Sequence, residues 1–519
     1  MNLDQKLLGQ VKQIFLSLKN DYIFHIACNS ASATGKEMIE FFTEFSSTSD
    51  RIAIEVEDIN SDKPVTSLIR NKVPTGISFR MIPGGHEFTS LILAVMNADG
   101  QGKTLPDEAT ISRIKRLNGE IVLNTYATLE CTNCPDVIQA LNQMALYNDN
   151  IATVAIDGNL AVAEAEALGV KSVPTVYANG ELLWVGKGSL GEILDKLEEK
   201  FGSREADVPE KIKEYDLLII GGGPAGAAAA IYSARKGIKV GLIAQRVGGQ
   251  VKETTGIENV ISVLHTTGEK LANDLKLHMQ DYPIEIFDSR TVESVELKES
   301  VKTVRVKGGE VFQAPQVIIA TGARWRRMNV PGEEDYIGHG IGFCVHCDGP
   351  FFKGKDVAVI GGGNSGIEAA IDLAKICNHV DVFEFLDTLK ADTVLQDKVR
   401  SLSNVSIHLS QQVVKVTGDG KTLEGLDIKD RNTGEIKHYK ENGVFIQIGL
   451  QPNSEVFIPQ IKANNRGEIE VDAFCRTDIP GVYAAGDVSN VPFKQIIIAM
   501  GEGAKSALSA FEDRIRFLN

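Results

Sequence analysis

Two stretches of this chain follow one plan, and a chain built around them has few folds open to it. Leu217-Leu218-Ile219-Ile220 runs into Gly221-Gly222-Gly223-Pro224-Ala225-Gly226, and Val357-Ala358-Val359-Ile360 runs into Gly361-Gly362-Gly363-Asn364-Ser365-Gly366. In each, an apolar run of strand length opens onto a glycine-rich turn and a helix. That is the form of a dinucleotide-binding βαβ unit, in which the helix N-terminus holds a pyrophosphate and bare glycines let the backbone come close. One G-x-G-x-x-G alone is often just a tight turn. Two copies between buried strands and Ala-rich helices imply two dinucleotides and a largely parallel α/β fold.

The pattern also asks for an acid about 20 residues on, to bond a ribose hydroxyl. The second copy supplies Glu384 in Val382-Phe383-Glu384-Phe385, with no Lys or Arg nearby before Lys390, which favours NADH over NADPH. The first copy carries Ala244-Gln245 at that place, so an uncharged Gln245 is the ribose candidate there.

Between the two turns' chemistry stands Phe343-Cys344-Val345-His346-Cys347-Asp348-Gly349, and a second Cys-x-x-Cys pair is Cys131-Thr132-Asn133-Cys134. Such pairs close small, reducible disulfides. Structural zinc is the rival, but zinc wants four ligands converging on one site and these pairs sit in different modules; no metal is expected. Cys131 precedes a helix N-terminus, which lowers a thiol pKa and marks it as the nucleophile. Asp348 is either a turn residue before Gly349 or the acid–base partner of the thiols, and Asp487 either a helix cap or a site residue. His346 is a spacer or a modulator. Cys28, Cys377 and Cys475 read as small buried hydrophobes.

The first 200 residues repeat an order of their own. A strand over Asp21–Ala27, a helix over Thr34–Phe45, a strand over Arg51–Val56, a strand after Val73-Pro74-Thr75 and a helix over Glu87–Met96 are matched later in the chain. The second set is a helix over Asp107–Leu117, a strand over Glu120–Tyr126, the Cys131/Cys134 pair opening a helix over Asp136–Tyr147, a strand over Ile151–Asp157, Val173-Pro174-Thr175, and a helix over Leu190–Lys200. The charged, proline-bearing stretch 202–211 reads as a linker.

At 519 residues the chain has room for about three or four domains. Its 43% hydrophobic and 24% charged composition is that of a globular protein. A net charge of −15 without clustered Lys or Arg argues against nucleic acid or an anionic membrane as partner. The N-terminus lacks the basic region of a secretory signal, and the most apolar window, 217–234, is broken by glycines and a proline, so a cytoplasmic protein is expected.

Together these motifs resemble the AhpF family, the flavoprotein reductases of bacterial alkyl hydroperoxide reductase systems, which serve a peroxiredoxin. The resemblance rests on Gly-Gly-Gly-Pro-Ala-Gly (221–226), Gly-Gly-Gln-Val (248–251), Ile-Glu-Asn (257–259), Ala-Thr-Gly-Ala (320–323) and Cys-x-His-Cys-Asp-Gly-Pro (344–350). Gly-Gly-Gly-Asn-Ser-Gly (361–366), Ala-Ala-Gly-Asp (484–487) and Lys-Gln-Ile-Ile-Ile-Ala (494–499) complete it. The last 300 residues alone resemble the low-molecular-weight thioredoxin reductases.

The resemblance implies tandem thioredoxin-like folds followed by two Rossmann-like domains. The boundaries are 1–101 (no dithiol), 102–201 (Cys131/Cys134), a linker at 202–212, an FAD-binding domain in parts 213–328 and 448–519, and an inserted NADH-binding domain at 329–447. It implies a cis Pro174, and by analogy a cis Pro74.

FAD would meet Gly221, Gly223, Pro224, Ala225, Gly226, Gln245, Gly249 and Gln250, then Asn259, Thr321, Gly322, Gly486, Asp487, Lys494, Gln495 and Ile496. NADH would meet Gly361, Gly363, Asn364, Ser365, Gly366 and Glu384. The implied path runs from NADH to FAD to Cys344–Cys347, with Asp348 handling protons, then to Cys131–Cys134 and an AhpC-type peroxiredoxin, in a homodimer. Glu87, in Gly-His-Glu-Phe-Thr, would assist the second fold's dithiol. Val345 and Gln245 depart from the family pattern, which has proline and glutamate there. The rival readings are a general disulfide reductase, an NADH oxidase, and a flavin-bound redox sensor without turnover.

Overall fold

The strand Tyr22–Cys28 buries every second residue, Tyr22, Phe24, Ile26 and Cys28, as a sheet with one face on a core requires. In the computed structural model it pairs in parallel with Ile52–Asp58 and antiparallel with Val65–Arg70. The model describes residues 4–61, 63–102, 105–131, 133–168, 170, 173–204, 212–253, 257, 259–337, 340–343, 345, 349–420 and 422–517. The chain divides into two compact units, Met1–Asp207 and Val208–Asn519.

In the first unit the strands Val65–Arg70 and Val73–Arg80 form a hairpin whose turn, Asn71-Lys72, has positive φ at both residues (48° and 68°). Two successive left-handed residues match the right-handed twist of the strands they join. Val73–Arg80 then pairs in parallel with Ile151–Asp157, from Ile77↔Thr153 to Arg80↔Ile156. Ile151–Asp157 lies beside Ile121–Ala127, followed by Thr175–Ala178 and Glu181–Val185.

The two thioredoxin-like halves therefore share one eight-stranded sheet, joined edge to edge. That pairing consumes two open edges which would otherwise expose unpaired N–H and C=O groups. One hydrophobic cluster spans both halves, from Phe24, Phe41, Phe42 and Phe45 to Leu123, Val137 and Leu141. Each fully buried phenylalanine contributes roughly 1.5–3 kcal/mol of transfer free energy.

Helix starts follow local chemistry. Ser32 caps Ala33–Ser46 by accepting from the Gly35 N–H, and Asp107 caps Glu108–Arg116 through the Thr110 N–H. Ser189 and Glu192 make a reciprocal capping box at Leu190–Phe201.

The second unit holds two five-stranded parallel sheets. The first runs Ile284–Phe287, Val240–Ile243, Leu217–Ile220, Gln316–Ile319, Val482–Ala484. Its central strands are buried along their whole length, as parallel strands covered on both faces are. The second runs Ile341–Gly342, Gly443–Ile446, Asp356–Ile360, His379–Phe383, Val405–His408. Its chain segments fall wholly between Gln316–Ile319 and Val482–Ala484, so the second sheet interrupts the first. The antiparallel pair Ala323–Trp325 and Leu450–Pro452 carries the chain out and back. Among the described residues no helix is long and apolar enough to cross a membrane.

Candidate active site

Both glycine turns have the geometry that their sequences require. Gly221 and Gly361 sit at φ 116° and 118°, a region closed to side chains. A Cβ on Gly226 would lie 1.8 Å from the Gly221 carbonyl oxygen, and one on Gly366 1.9 Å from that of Gly361. Gly223 and Gly363 then begin the helices Pro224–Ala234 and Asn364–Leu373 with no side-chain cap, leaving the first N–H groups for an anion. A Cβ on Gly363 would meet nothing within 4 Å, so open space fronts that helix end. Both turns fit a pyrophosphate.

Glu384 directly follows the strand His379–Phe383 and is buried. Its carboxylate accepts from the Gly362 N–H and, at 2.8 Å, from the Leu386 N–H, which fixes it against the turn. A second acid flanks it, because Asp392 and Asn364 bond each other twice, at 2.8 and 3.0 Å. Sequence reasoning missed Asp392; it lies beyond the expected ribose position and has no motif of its own. Gln245, the counterpart on the first turn, is exposed and uncharged.

The structure gathers most of the flavin candidates around the first turn. Ala225, Ala320, Ala485 and Ala499 pack together, and Gly249 in the turn Gly249–Glu253 lies against Gly223. Asn259 Nδ2 donates to Gln495 Oε1 at 3.1 Å, across 236 residues of chain. Thr321 Oγ1 donates to the Asn453 carbonyl at 2.7 Å, and the Asn453 amide returns a bond to the Thr321 carbonyl at 2.9 Å, fastening the Thr321-Gly322 turn.

With its amide in the orientation that satisfies its neighbours, Gln250 donates to the Ala323 carbonyl and accepts from Trp325 Nε1, each at 2.8 Å. Lys494 bonds the Ser489 carbonyl and pairs with Glu468 at 3.1 Å, and Ile496 opens the helix Ile496–Phe517. Asp487 is half-buried, and its carboxyl makes no hydrogen bond among the described residues. Burial pushes it up, Lys494 opposes this, and Glu502 adds to it. An unpaired acid at a strand's carboxyl end fits a sugar or ribityl hydroxyl. Glu502, Asn453 and Trp325 carried no sequence signal.

In the first unit Cys131 and Cys134 form a disulfide with Cα atoms 5.5 Å apart. Cys134 is fully buried at the start of the helix Cys134–Tyr147, whereas Cys131 is half-buried. The Cys134 N–H donates to Cys131 Sγ at 3.1 Å, and that sulfur lies 3.7 Å from the Val173 carbonyl oxygen. The uncapped helix end thus faces the more exposed sulfur and stabilises its thiolate.

The Val173–Pro174 peptide is cis. Val73–Pro74 is not, contrary to expectation: Pro74 lies within the strand Val73–Arg80, paired as Ile69↔Pro74 on an exposed position of the hairpin. Cys28 stands where the first half would carry a dithiol, and is buried and unpaired as a thiol. Cys377 and Cys475 are buried free thiols as well.

Glu87 begins the helix Glu87–Ala98 with neither carboxylate oxygen hydrogen-bonded. Burial pushes its carboxyl up to about 7; the nearby Ser90 hydroxyl opposes this and Asp136 reinforces it. The residue before it, His86, donates its N–H to the Leu129 carbonyl at 3.1 Å, two residues ahead of Cys131. Gln139 Nε2, on the helix that Cys134 opens, donates to Ser90 Oγ at 3.1 Å. Cys344, His346, Cys347 and Asp348 lie outside the described residues. Among the described residues no group of three or more His, Cys, Asp or Glu is placed to hold a metal ion.

Residues 215–503 match the pyridine nucleotide-disulphide oxidoreductase family, and residues 122–199 match a thioredoxin domain. The chain is 46% identical over 516 residues to the alkyl hydroperoxide reductase protein AhpF of Pseudomonas putida, with 99% of each chain covered. It is 44% identical over 518 residues to that of Escherichia coli (strain K12), again with 99% of each covered. The chain belongs to the AhpF family of alkyl hydroperoxide reductase proteins. A Bacillus subtilis (strain 168) protein named NADH dehydrogenase is 45% identical over 516 residues, covering 99% of this chain and 100% of that one. For the part shared by the AhpF family and plain thioredoxin reductases, the thioredoxin reductase of Lactococcus lactis is a structural neighbour. It is 32% identical, with a TM-score of 0.51, covering 58% of this chain and 100% of its own. As a member of the AhpF family the chain is an FAD-dependent, NADH-using disulfide oxidoreductase.

Proposed function

We propose that this chain takes electrons from NADH and delivers them to the disulfide of an AhpC-type peroxiredoxin, sustaining reduction of alkyl hydroperoxides and hydrogen peroxide. One observation carries the exit of this path. Cys134 is fully buried while Cys131 is part-exposed at an uncapped helix end, in a chain that also holds two pyrophosphate-shaped turns. FAD, held by the first turn, supplies the two-electron chemistry that joins a hydride donor to a disulfide.

The protein's residues do the rest. The N–H groups after Gly223 and Gly363 hold the pyrophosphates, Glu384 the ribose of NADH, and Asp487 a hydroxyl of the flavin nucleotide. Cys344–Cys347 is the first dithiol, with Asp348 moving its proton. It reduces Cys131–Cys134 by thiol–disulfide exchange. The Cys131 thiolate then attacks a sulfur of the peroxiredoxin disulfide, breaking that S–S bond and forming a mixed disulfide. Cys134 attacks Cys131 Sγ, re-forms the internal disulfide and releases the partner's second thiolate. Glu87 exchanges the protons of this step. A homodimer in the cytoplasm belongs to the same proposal.

The name NADH dehydrogenase on a relative of equal similarity favours a second reading, in which electrons leave to oxygen. Two measurements decide. NADH consumption with purified peroxiredoxin and peroxide is expected to exceed consumption without them severalfold. Cys131→Ser is expected to spare NADH-driven bleaching of the flavin and to abolish peroxiredoxin turnover. Equal consumption in both conditions, or turnover surviving in Cys131→Ser, overturns the proposal.

A further inference from the structure

Just past Glu384 the chain presents a large aromatic ring to solvent and fixes it there. Phe385 is 48% exposed. The Arg431 guanidinium lies over one face, its Cζ 3.7 Å from the ring centroid, and Arg431 Nη1 donates to the Phe385 carbonyl at 2.6 Å. The backbone around the ring is tied at every residue. Glu384 N–H donates to the His408 carbonyl at 2.9 Å, Gln411 N–H to that of Glu384 at 2.9 Å, and Ser410 N–H to that of Leu386 at 2.8 Å. Arg431 itself is anchored by its N–H on the Ser410 carbonyl, 2.8 Å away. A phenylalanine on a surface loop ordinarily folds its ring onto the protein. Here a guanidinium holds one face and leaves the rest of the ring to water.

A nucleotide places its base next to this ring. In adenosine the base is bonded to the sugar carbon adjacent to the one bearing the 2′-hydroxyl. A ribose held through its hydroxyls at Glu384 therefore brings its base within a side-chain length of the residues beside that acid. Purine faces stack well on aromatic rings, and a planar guanidinium behind the ring strengthens such a stack. We propose that Phe385, backed by Arg431, is the platform on which the adenine of NADH stacks; the inference rests on the reading of Gly361–Glu384 as the NADH site.

The test titrates ADP-ribose, which has the adenosine half and no nicotinamide, into the full-length flavin-loaded protein. Phe385→Ala is expected to weaken ADP-ribose binding about tenfold. It is expected to leave unchanged the KM for reduced nicotinamide mononucleotide, which lacks adenine. Phe385→Trp is expected to bind ADP-ribose at least as well as the native protein, with fluorescence of the added indole quenched at saturation; ribose 5-phosphate is expected to quench nothing. ADP-ribose binding within twofold of native in Phe385→Ala, or indole emission indifferent to ADP-ribose, overturns the platform alone. If the native protein neither binds ADP-ribose nor oxidises NADH, the underlying nucleotide site falls with it.

Discussion

Arg80 grips Glu164 through two hydrogen bonds of 3.0 Å each, tying the last strand of the first thioredoxin-like half to the helix Val162–Ala167 of the second. Lys63 adds a bond at 2.8 Å and the Tyr126 hydroxyl one at 2.7 Å to the same carboxylate. Arg80 foremost, with Lys63 and Tyr126, holds the Glu164 carboxyl far below the usual carboxylate range despite partial burial.

A carboxyl depressed in the folded state stabilises the fold above its unfolded pKa and loses that contribution as pH falls. Glu164→Gln should therefore cost about 1–3 kcal/mol at pH 7, read as a lower melting temperature of the unit that holds both halves. The gap between variant and native should narrow steadily below about pH 4.5. A gap of equal size at pH 3.5 and pH 7 would show that the charge is not what joins the halves.

Glu87 is the acid whose setting best suits proton exchange at neutral pH, since burial leaves its carboxyl half-protonated near pH 7. Glu87→Gln should slow transfer from Cys131–Cys134 to peroxiredoxin about 10²-fold and remove the limb of the pH–rate profile near 7. Flavin reduction by NADH should be untouched. A profile that keeps its limb in the variant would assign the proton step elsewhere.

The parts of this fold readable from sequence are those whose cause is local. Ser32, Asp107 and Ser189 announce their helices because a side-chain oxygen is needed where the first N–H groups are orphaned. The glycine turns are legible because a φ near +117° and sub-2 Å approaches leave no other residue possible. The strand Val65–Arg70 escaped notice because its hairpin turns on Asn71-Lys72 without a glycine. The joining of Val73–Arg80 to Ile151–Asp157 has no local signal at all; it depends on two edges far apart in the chain finding each other.

Val73-Pro74-Thr75 and Val173-Pro174-Thr175 are the same words with different outcomes, because the hairpin around Pro74 exists only once the sheet has formed. At the site, charge and glycine were visible, but the partners that orient them were not. Asn453 behind Thr321, Asp392 behind Asn364 and Arg431 behind Phe385 are brought in by tertiary pairing.

Glu384 bears on cofactor choice. Its carboxylate is fixed by the Gly362 and Leu386 N–H groups, with the Asp392–Asn364 pair also beside the glycine turn. A ribose hydroxyl can donate to Glu384, whereas a 2′-phosphate would meet its negative charge. Glu384→Gln should raise the KM for NADH about tenfold or more and lower the relative penalty on NADPH. If the ratio of the two kcat/KM values stays at the native level, discrimination lies in other residues.

The second nucleotide sheet carries a buried acid pair that should show in its pH stability. Glu441 is buried, with one carboxylate oxygen unpaired among the described residues, between the strands Ile436–Lys440 and Gly443–Ile446. Burial first, then Asp381 and Asp356, push its carboxyl up to about 9. Asp381 is pushed up by burial too, but His408, whose Nε2 lies 2.5 Å from Asp381 Oδ1, and His379 at 3.6 Å hold it down. At neutral pH Glu441 therefore keeps a proton and Asp381 does not.

A carboxyl raised in the folded state loses its proton more readily on unfolding, so rising pH favours the unfolded chain from about pH 4.5 until the folded group itself ionises near 9. Glu441→Gln, which stays neutral in both states, should remove that loss. Its melting temperature should match the native protein near pH 4.5 and exceed it by several degrees at pH 8.5. His408→Ala should move Asp381 the other way and lower stability at pH 7, because a buried carboxylate would lose its partner. If Glu441→Gln melted below the native protein at pH 8.5, Glu441 would have to be ionised in the folded state, with a cation supplying its charge partner.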